Sequence, residues 1–165
     1  MIDKDLIWNH LFLELTRLVD VAEAAAQRAH ETATDDENVA ENKYDTLGLE
    51  AAYLAQGQQQ RLLQCQTDLS QLKALRESYQ GHDRVALGSL VVCCDAADKR
   101  HYFLLAQGAG GLKVEFEAAT GLIEQVLVIT PQAPIGCALL GAKVDDEVMV
   151  NVGDNAITYD IITLI

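Results

Sequence analysis

Proline is almost missing from this chain: there are two, Pro131 and Pro134, in 165 residues. Long unbroken helices are therefore allowed nearly everywhere else, because interior proline is what most strongly breaks them. Basic residues are also scarce, 12 Lys and Arg against 25 Asp and Glu, for a net charge of −13. Phosphate backbones and anionic lipid surfaces repel such a chain, which argues against a stand-alone duplex-DNA or membrane-surface binder. No apolar run approaches the ~20 residues that span a bilayer, and residues 1–10 are mixed and charged without a signal-sequence pattern, so a cytoplasmic location is expected. There is no Cys-x-x-Cys pair. Cys65, Cys93, Cys94 and Cys137 read as buried thiols, with the adjacent Cys93 and Cys94 on opposite faces of a strand. No P-loop, Gly-x-Ser-x-Gly or dinucleotide fingerprint occurs. His10, His30, His82 and His101 are scattered, and "GAGG" at 108–111 reads as a hairpin turn, so an enzyme in its own right is not expected.

What is present divides by period. Half of the residues are apolar, and up to about Tyr79 they recur at helical spacing. One stripe runs Leu6, Ile7, Leu11, Leu15, Leu18, Ala22, Ala25, Ala26, Ala29. A second runs Tyr44, Leu47, Ala51, Leu54, Leu62, Cys65, Leu69, Leu72, with Gln58 interrupting a three-four alternation. Two apolar stripes joined by a short polar linker predict an antiparallel coiled-coil hairpin over 1–79, each arm ~45–50 Å long at ~1.5 Å per residue. After Gly81 the period becomes two. "VALGSLVVCC", "HYFLLAQ", "LKVEFEA", "EQVLVIT", "DEVMVNV" and "ITYDIITLI" predict strands, separated by turn signals at 98–99, 108–111, 121 and 153–155. "IGCALLGAK" predicts a short helix. The fold class is thus α+β: a helical hairpin, then a mainly antiparallel sheet domain over 80–165, with residues 76–84 as the joint.

The acids concentrate at "TDDENVAEN", where the hairpin turns (about 32–44). Two or three carboxylates there suit Mg²⁺, which prefers oxygen ligands at ~2.0–2.1 Å. Alone they would hold it weakly; completing a site in another enzyme suits them better, since a second metal in phosphoryl chemistry activates water and stabilises the leaving oxygen. The same acids also offset the positive end of a helix or cap it. Arg17, Arg28, Arg61 and Arg76 form a basic strip or ordinary solvated helix charge.

Residues 129–165, "ITPQAPIGCALLGAKVDDEVMVNVGDNAITYDIITLI", resemble the C-terminal part of the bacterial Gre-type transcript-cleavage factors. The matching positions are Ala133, Pro134, Gly136, Ala138, Leu139, Leu140 and Gly141, then Asp146, Val148, Val150, Tyr159 and Ile161. The stretch "ENKYDTLGLEAAYLA" at 41–55 is similar to a divergent branch of the same family. The resemblance implies an FKBP-like sheet domain that docks on the rim of the RNA polymerase secondary channel. It implies a hairpin that enters the channel, and tip acids that share Mg²⁺ with the polymerase, which then hydrolyses the backtracked RNA 3′ end. Carried over, the tip acids are Asp36, Glu37 and Glu41, and the docking residues are Pro131, Gln132, Ala133 and Pro134. RNA would be met only within the complex.

The tip register stays open. Matching Glu41-Asn42 to the family's Glu-Asn loses one residue before Tyr44; an ungapped match back from Tyr44 uses Glu37 and places Ala40 at the family's Glu; a third uses Glu37-Asn38 with Asp35 or Asp36 before it. Lys43 puts a cation beside the acids, Ala133 stands where the family often has Ser, and Cys137 where it often has a basic residue. Two alternatives accompany the cleavage reading: a channel regulator without cleavage, and an adaptor or dimerisation module outside transcription.

Overall fold

The structure is a computed structural model that describes residues 2–35, 47–118, 121–153 and 155–165. Two long helices come first, α1 (Lys4–Thr34) and α2 (Leu47–Ser78), followed by β1 (Leu90–Asp95), β2 (Arg100–Leu105), β3 (Lys113–Glu117), β4 (Ile123–Ile129), α3 (Pro134–Leu139), β5 (Glu147–Val152) and β6 (Asn155–Leu164). This is the expected helical hairpin followed by a mainly antiparallel sheet with one short helix. The chain divides into two compact units, one of Met1–Leu13 with Ser70–Ile165 and one of Glu14–Leu69, so each long helix contributes to both.

Within the first unit, six strands make one sheet in the order β3-β4-β2-β1-β6-β5. All neighbours are antiparallel except β2 and β4, which run parallel with Phe103 opposite Leu127. The chain leaves β2, forms β3 outside, and returns as β4 between them. Alternation then sorts the side chains. One face carries Val91, Cys93, Phe103, Leu105, Ile129, Val148 and Ile161, and α3 lays Leu139 onto it. On the other face Val92, Tyr102, Leu104, Val114, Phe116, Val126 and Val128 are also buried. In the same unit the helix ends bury Ile7, Trp8, Leu11 and Leu72. The His10 ring nitrogen Nδ1 donates to the Glu115 carbonyl at 2.9 Å, which holds α1 against edge strand β3. Burying each such Leu, Ile or Val stabilises the unit by ~1.5–3 kcal/mol.

Residues 79–89 link α2 to β1 within the first unit. The Lys4 ammonium sits over the Tyr79 ring, 3.5 Å from its centroid, and both Lys4 and the Tyr79 hydroxyl donate to the Ile165 carbonyl. Gly88 is at φ +87, where a Cβ would stand 2.6 Å from Tyr79 Cδ2; only glycine fits both demands. Asp3 Oδ1 accepts from the Asp5 and Leu6 amides and so caps α1.

The second unit takes the C-terminal part of α1 and the N-terminal part of α2. Ala22, Ala26 and Leu62 form its buried cluster, with Val19 and Cys65 packed against it. Of the predicted α2 stripe, Leu62, Cys65 and Leu72 turn inward as expected, but Leu47 and Leu54 are each 62% exposed. The buried row continues instead through Ala55 and Gln58, both half-buried. The cysteine expectation is corrected as well: Cys93 is buried, Cys65 and Cys94 are half-buried, and Cys137 is exposed.

Candidate functional site

The two prolines meet in one loop between β4 and α3. The Ala133 amide donates to the Thr130 carbonyl at 3.0 Å, closing the turn, and the Cys137 amide donates to the Ala133 carbonyl at 2.8 Å, opening the helix. Pro134 takes the first helical position, where its missing N–H leaves nothing unsatisfied. Ala133 is the cap residue with suitable backbone angles, φ −68 and ψ 146, yet has no side-chain oxygen to offer the orphan amides.

The loop is braced from both sides. A Cβ on Gly136 would stand 2.0 Å from the Thr130 carbonyl oxygen, and one on Gly110 would stand 2.7 Å from Thr130 Cγ2. Thr130 is therefore held between α3 and the β2–β3 turn. Further along, the Gly141 amide donates to the Val85 carbonyl and the Val85 amide to the Ala142 carbonyl, both at 2.8 Å, while Arg84 donates to the Gly141 carbonyl. Gln132 and Pro134 are exposed; Pro131 and Ala133 are half-buried. The structure thus brings all four expected docking residues onto one braced turn. Composition does not reveal the bracing, although "GAGG" was its available signal.

The expected tip acids Asp36, Glu37 and Glu41, and Lys43 with them, lie outside the described residues. What leads to them is described: α1 ends at Thr34, and the Thr32 and Thr34 hydroxyls bond back to the Arg28 and His30 carbonyls one turn earlier. Among the described residues no group of three or more His, Cys, Asp or Glu is placed to hold a metal ion. The basic strip is partly committed within the chain. Arg17 bridges Glu14 at 2.6 Å, and Arg76 binds Asp5 and Asn9 while its guanidinium lies over the Phe12 ring.

One polar cluster went unforeseen. At the β1–β2 turn, Asp95 accepts from His101 at 2.8 Å and from the Ala97 and Lys99 amides. The His101 contact, then the Lys99 and Ala97 amides, hold the Asp95 carboxyl below the usual carboxylate range. His101 stacks on Phe103 and meets Tyr159 edge-on. These contacts satisfy the turn internally, and its Asp98 adopts φ 59.

A helical hairpin followed by a β-rich unit with one short helix and a braced Pro-x-x-Pro turn defines an α+β chain. This chain belongs to the GreA/GreB transcription elongation factor family: the family model described as "Transcription elongation factor, GreA/GreB, C-term" matches residues 80–165. Similar solved structures include the transcription factor Gfh1, at 17% identity over 93% of this chain and 92% of that one, with a TM-score of 0.39. GreA factor homolog 1 of Thermus thermophilus has 18% identity over 93% and 94%, TM-score 0.37. Gfh1 of Thermus aquaticus has 16% identity over 93% and 92%, TM-score 0.38. No curated protein matches. No helix among the described residues is long and apolar enough to cross a membrane.

Proposed function

We propose that this chain is an accessory factor of bacterial RNA polymerase that docks through Pro131, Gln132, Ala133 and Pro134 and carries Asp36, Glu37 and Glu41 into the secondary channel. There it stimulates the polymerase's own hydrolysis of backtracked RNA. The observation that carries this reading is the family match over 80–165, which covers the sheet and the braced loop. A turn stiffened by two prolines and two close glycine approaches loses little freedom when a partner covers it, which favours docking.

The donor set suits the metal expected. Asp36, Glu37 and Glu41 offer only carboxylate oxygens, the ligands that Mg²⁺ prefers and softer metals do not require. The bound metal would lower the pKa of an attacking water and stabilise the leaving oxygen. The chain's own part is to hold the three carboxylates together and to admit them to a site that already contains phosphates. Its net charge of −13 makes separate RNA binding weak, so RNA is met only inside the complex. Polymerase, and hence this chain, works in the cytoplasm.

A second reading keeps the polymerase but not the cleavage, and the tip sequence favours it. Glu41-Asn42 lies one residue closer to Tyr44 than in the family pattern, and one residue of helix turns a ligand by ~100°. Incubating a stalled, backtracked complex with Mg²⁺ and the chain decides between them. Cleavage predicts shortened RNA with wild type and none with the Asp36→Ala/Glu37→Ala/Glu41→Ala variant. A channel effect on abortive products that survives in the triple variant supports the second reading. Failure to retain polymerase subunits in a pull-down removes both and leaves the adaptor role.

A further inference from the structure

The second unit carries a heptad row that its own packing does not use. Leu49, Tyr53, Gln56, Gln60, Leu63 and Thr67 of α2 follow one another at alternating steps of four and three residues, the spacing of a coiled-coil seam. All six are exposed, Leu49 to 56%, Tyr53 to 65% and Leu63 to 53%. At ~100° per residue the row lies across the helix from Leu62 and Cys65, which pack with Ala22 and Ala26. It is therefore not the seam that closes the hairpin. The row holds no charge; Glu50, Arg61 and Asp68, the charged residues of 47–69, run in one line beside it.

Gly57 stands on the flank of this row, in the interior of α2. A Cβ placed on it would meet nothing within 4 Å among the described residues. Glycine weakens a helix interior relative to alanine, and no contact within the unit requires one here. A second helix crossing at this level would require it, because a missing Cβ lets two backbones approach closely.

We infer that this face of α2 pairs with the same face of a second copy of the chain, antiparallel, about a two-fold axis level with Gln58. The inference stands on the chain alone and is independent of polymerase docking. In that register Tyr53 of one copy meets Leu63 of the other, and Gln56 meets Gln60, whose amides each donate and accept. Leu49 meets Thr67, whose hydroxyl is already spent on the Leu63 carbonyl. Gly57 meets Gly57 beside the axis. Charge favours this occupant. Two chains of net charge −13 repel, so they meet where charge is absent. Glu50 faces Gln64 across the seam and not another acid. Antiparallel order also keeps the two Leu47 ends, which follow the acidic stretch in sequence, ~33 Å apart, several times the ~8 Å Debye length. Three large apolar side chains per copy make a small interface, so the dimer is reversible, with a Kd on the order of 10–100 μM.

The test is sedimentation equilibrium of the full chain from about 5 to 500 μM, in reductant because Cys137 is exposed. Wild type should pass from monomer to dimer; a monomer throughout overturns the inference. Tyr53→Glu and Leu63→Lys should each weaken pairing by about tenfold or more, since each buries a lone charge. A wild-type Kd in either places the contact elsewhere and overturns it as well. Combined in one chain, the two changes should restore pairing, because antiparallel copies then set each carboxylate against an ammonium of the other. A double variant as monomeric as the single ones overturns the antiparallel register and the inference with it. Gly57→Gln decides the matter should the charged variants misfold. Gln is the better helix former, so the thermal midpoint of the dilute monomer should rise while pairing weakens about tenfold. A higher midpoint with an unchanged Kd would mean that Gly57 admits no partner, which overturns the inference.

Discussion

Lys4 is a charge kept half out of water, with its ammonium over the Tyr79 ring and bonded to the Ile165 carbonyl. Burial lowers its pKa to about 8, and the nearby Asp5 opposes this only in part. Between that value and the ordinary 10.5 the folded chain has released a proton that the unfolded chain keeps, so stability from this group rises with pH across the window. Cys93 works the other way above its ordinary 9.0, since burial pushes its thiol up to about 12 and the unfolded chain ionises first. The raised Tyr102 and Tyr159 act in the same sense higher still. The Lys4 effect is therefore cleanest from pH 8 to 9. Urea midpoints should rise there in wild type relative to Lys4→Gln, and parallel curves would refute the assignment. At the cap of α3, Ala133→Ser should add ~1 kcal/mol by accepting a first-turn amide, read as a higher urea midpoint. These two residues show what was legible. The missing hydroxyl at 133 could be seen in the sequence, whereas Lys4 depends on a contact with residues 79 and 165 that no local pattern announces.

At the scale of elements, period carried the reading well and packing detail did not follow from it. Every predicted strand and the short helix formed, because two-residue alternation bounded by Gly and Asp turns leaves few alternatives. Gly141 at φ +83 and Asp146, which accepts from the Lys143 amide, end α3 and lead into β5 where the family-like stretch places them. The hairpin was less legible. Leu47 and Leu54 fit the three-four spacing yet lie outside, since the Ala22, Ala26 and Ala29 face of α1 gives large side chains little to fill. Gln58 lies on the inner row instead, and its Oε1 is buried with no hydrogen-bond partner among the described residues. Removing that unsatisfied oxygen predicts a gain: Gln58→Leu should raise stability by ~1 kcal/mol, or a few degrees in Tm. A lower Tm would mean that the amide is needed where it stands.

For the whole molecule, the family and the fold were within reach of the sequence because the C-terminal match falls on core and turn residues. Leu139, Val148, Val150 and Ile161 are buried, and such positions tolerate few substitutes. The Pro-x-x-Pro turn could be read from its prolines, but the contact of Gly110 with Thr130 that braces it could not, because "GAGG" signals a turn and not what that turn packs against. The carboxylates that would perform the function are the part governed by register alone, where one residue decides whether a ligand faces the metal. The most direct measurement is a single-particle reconstruction of the chain bound to a backtracked polymerase complex. The account predicts Asp36, Glu37 or Glu41 within ligand distance, ~2–2.5 Å, of a second Mg²⁺ beside the catalytic one. Finding the hairpin outside the channel, or its carboxylates facing away from the RNA 3′ end, would contradict it.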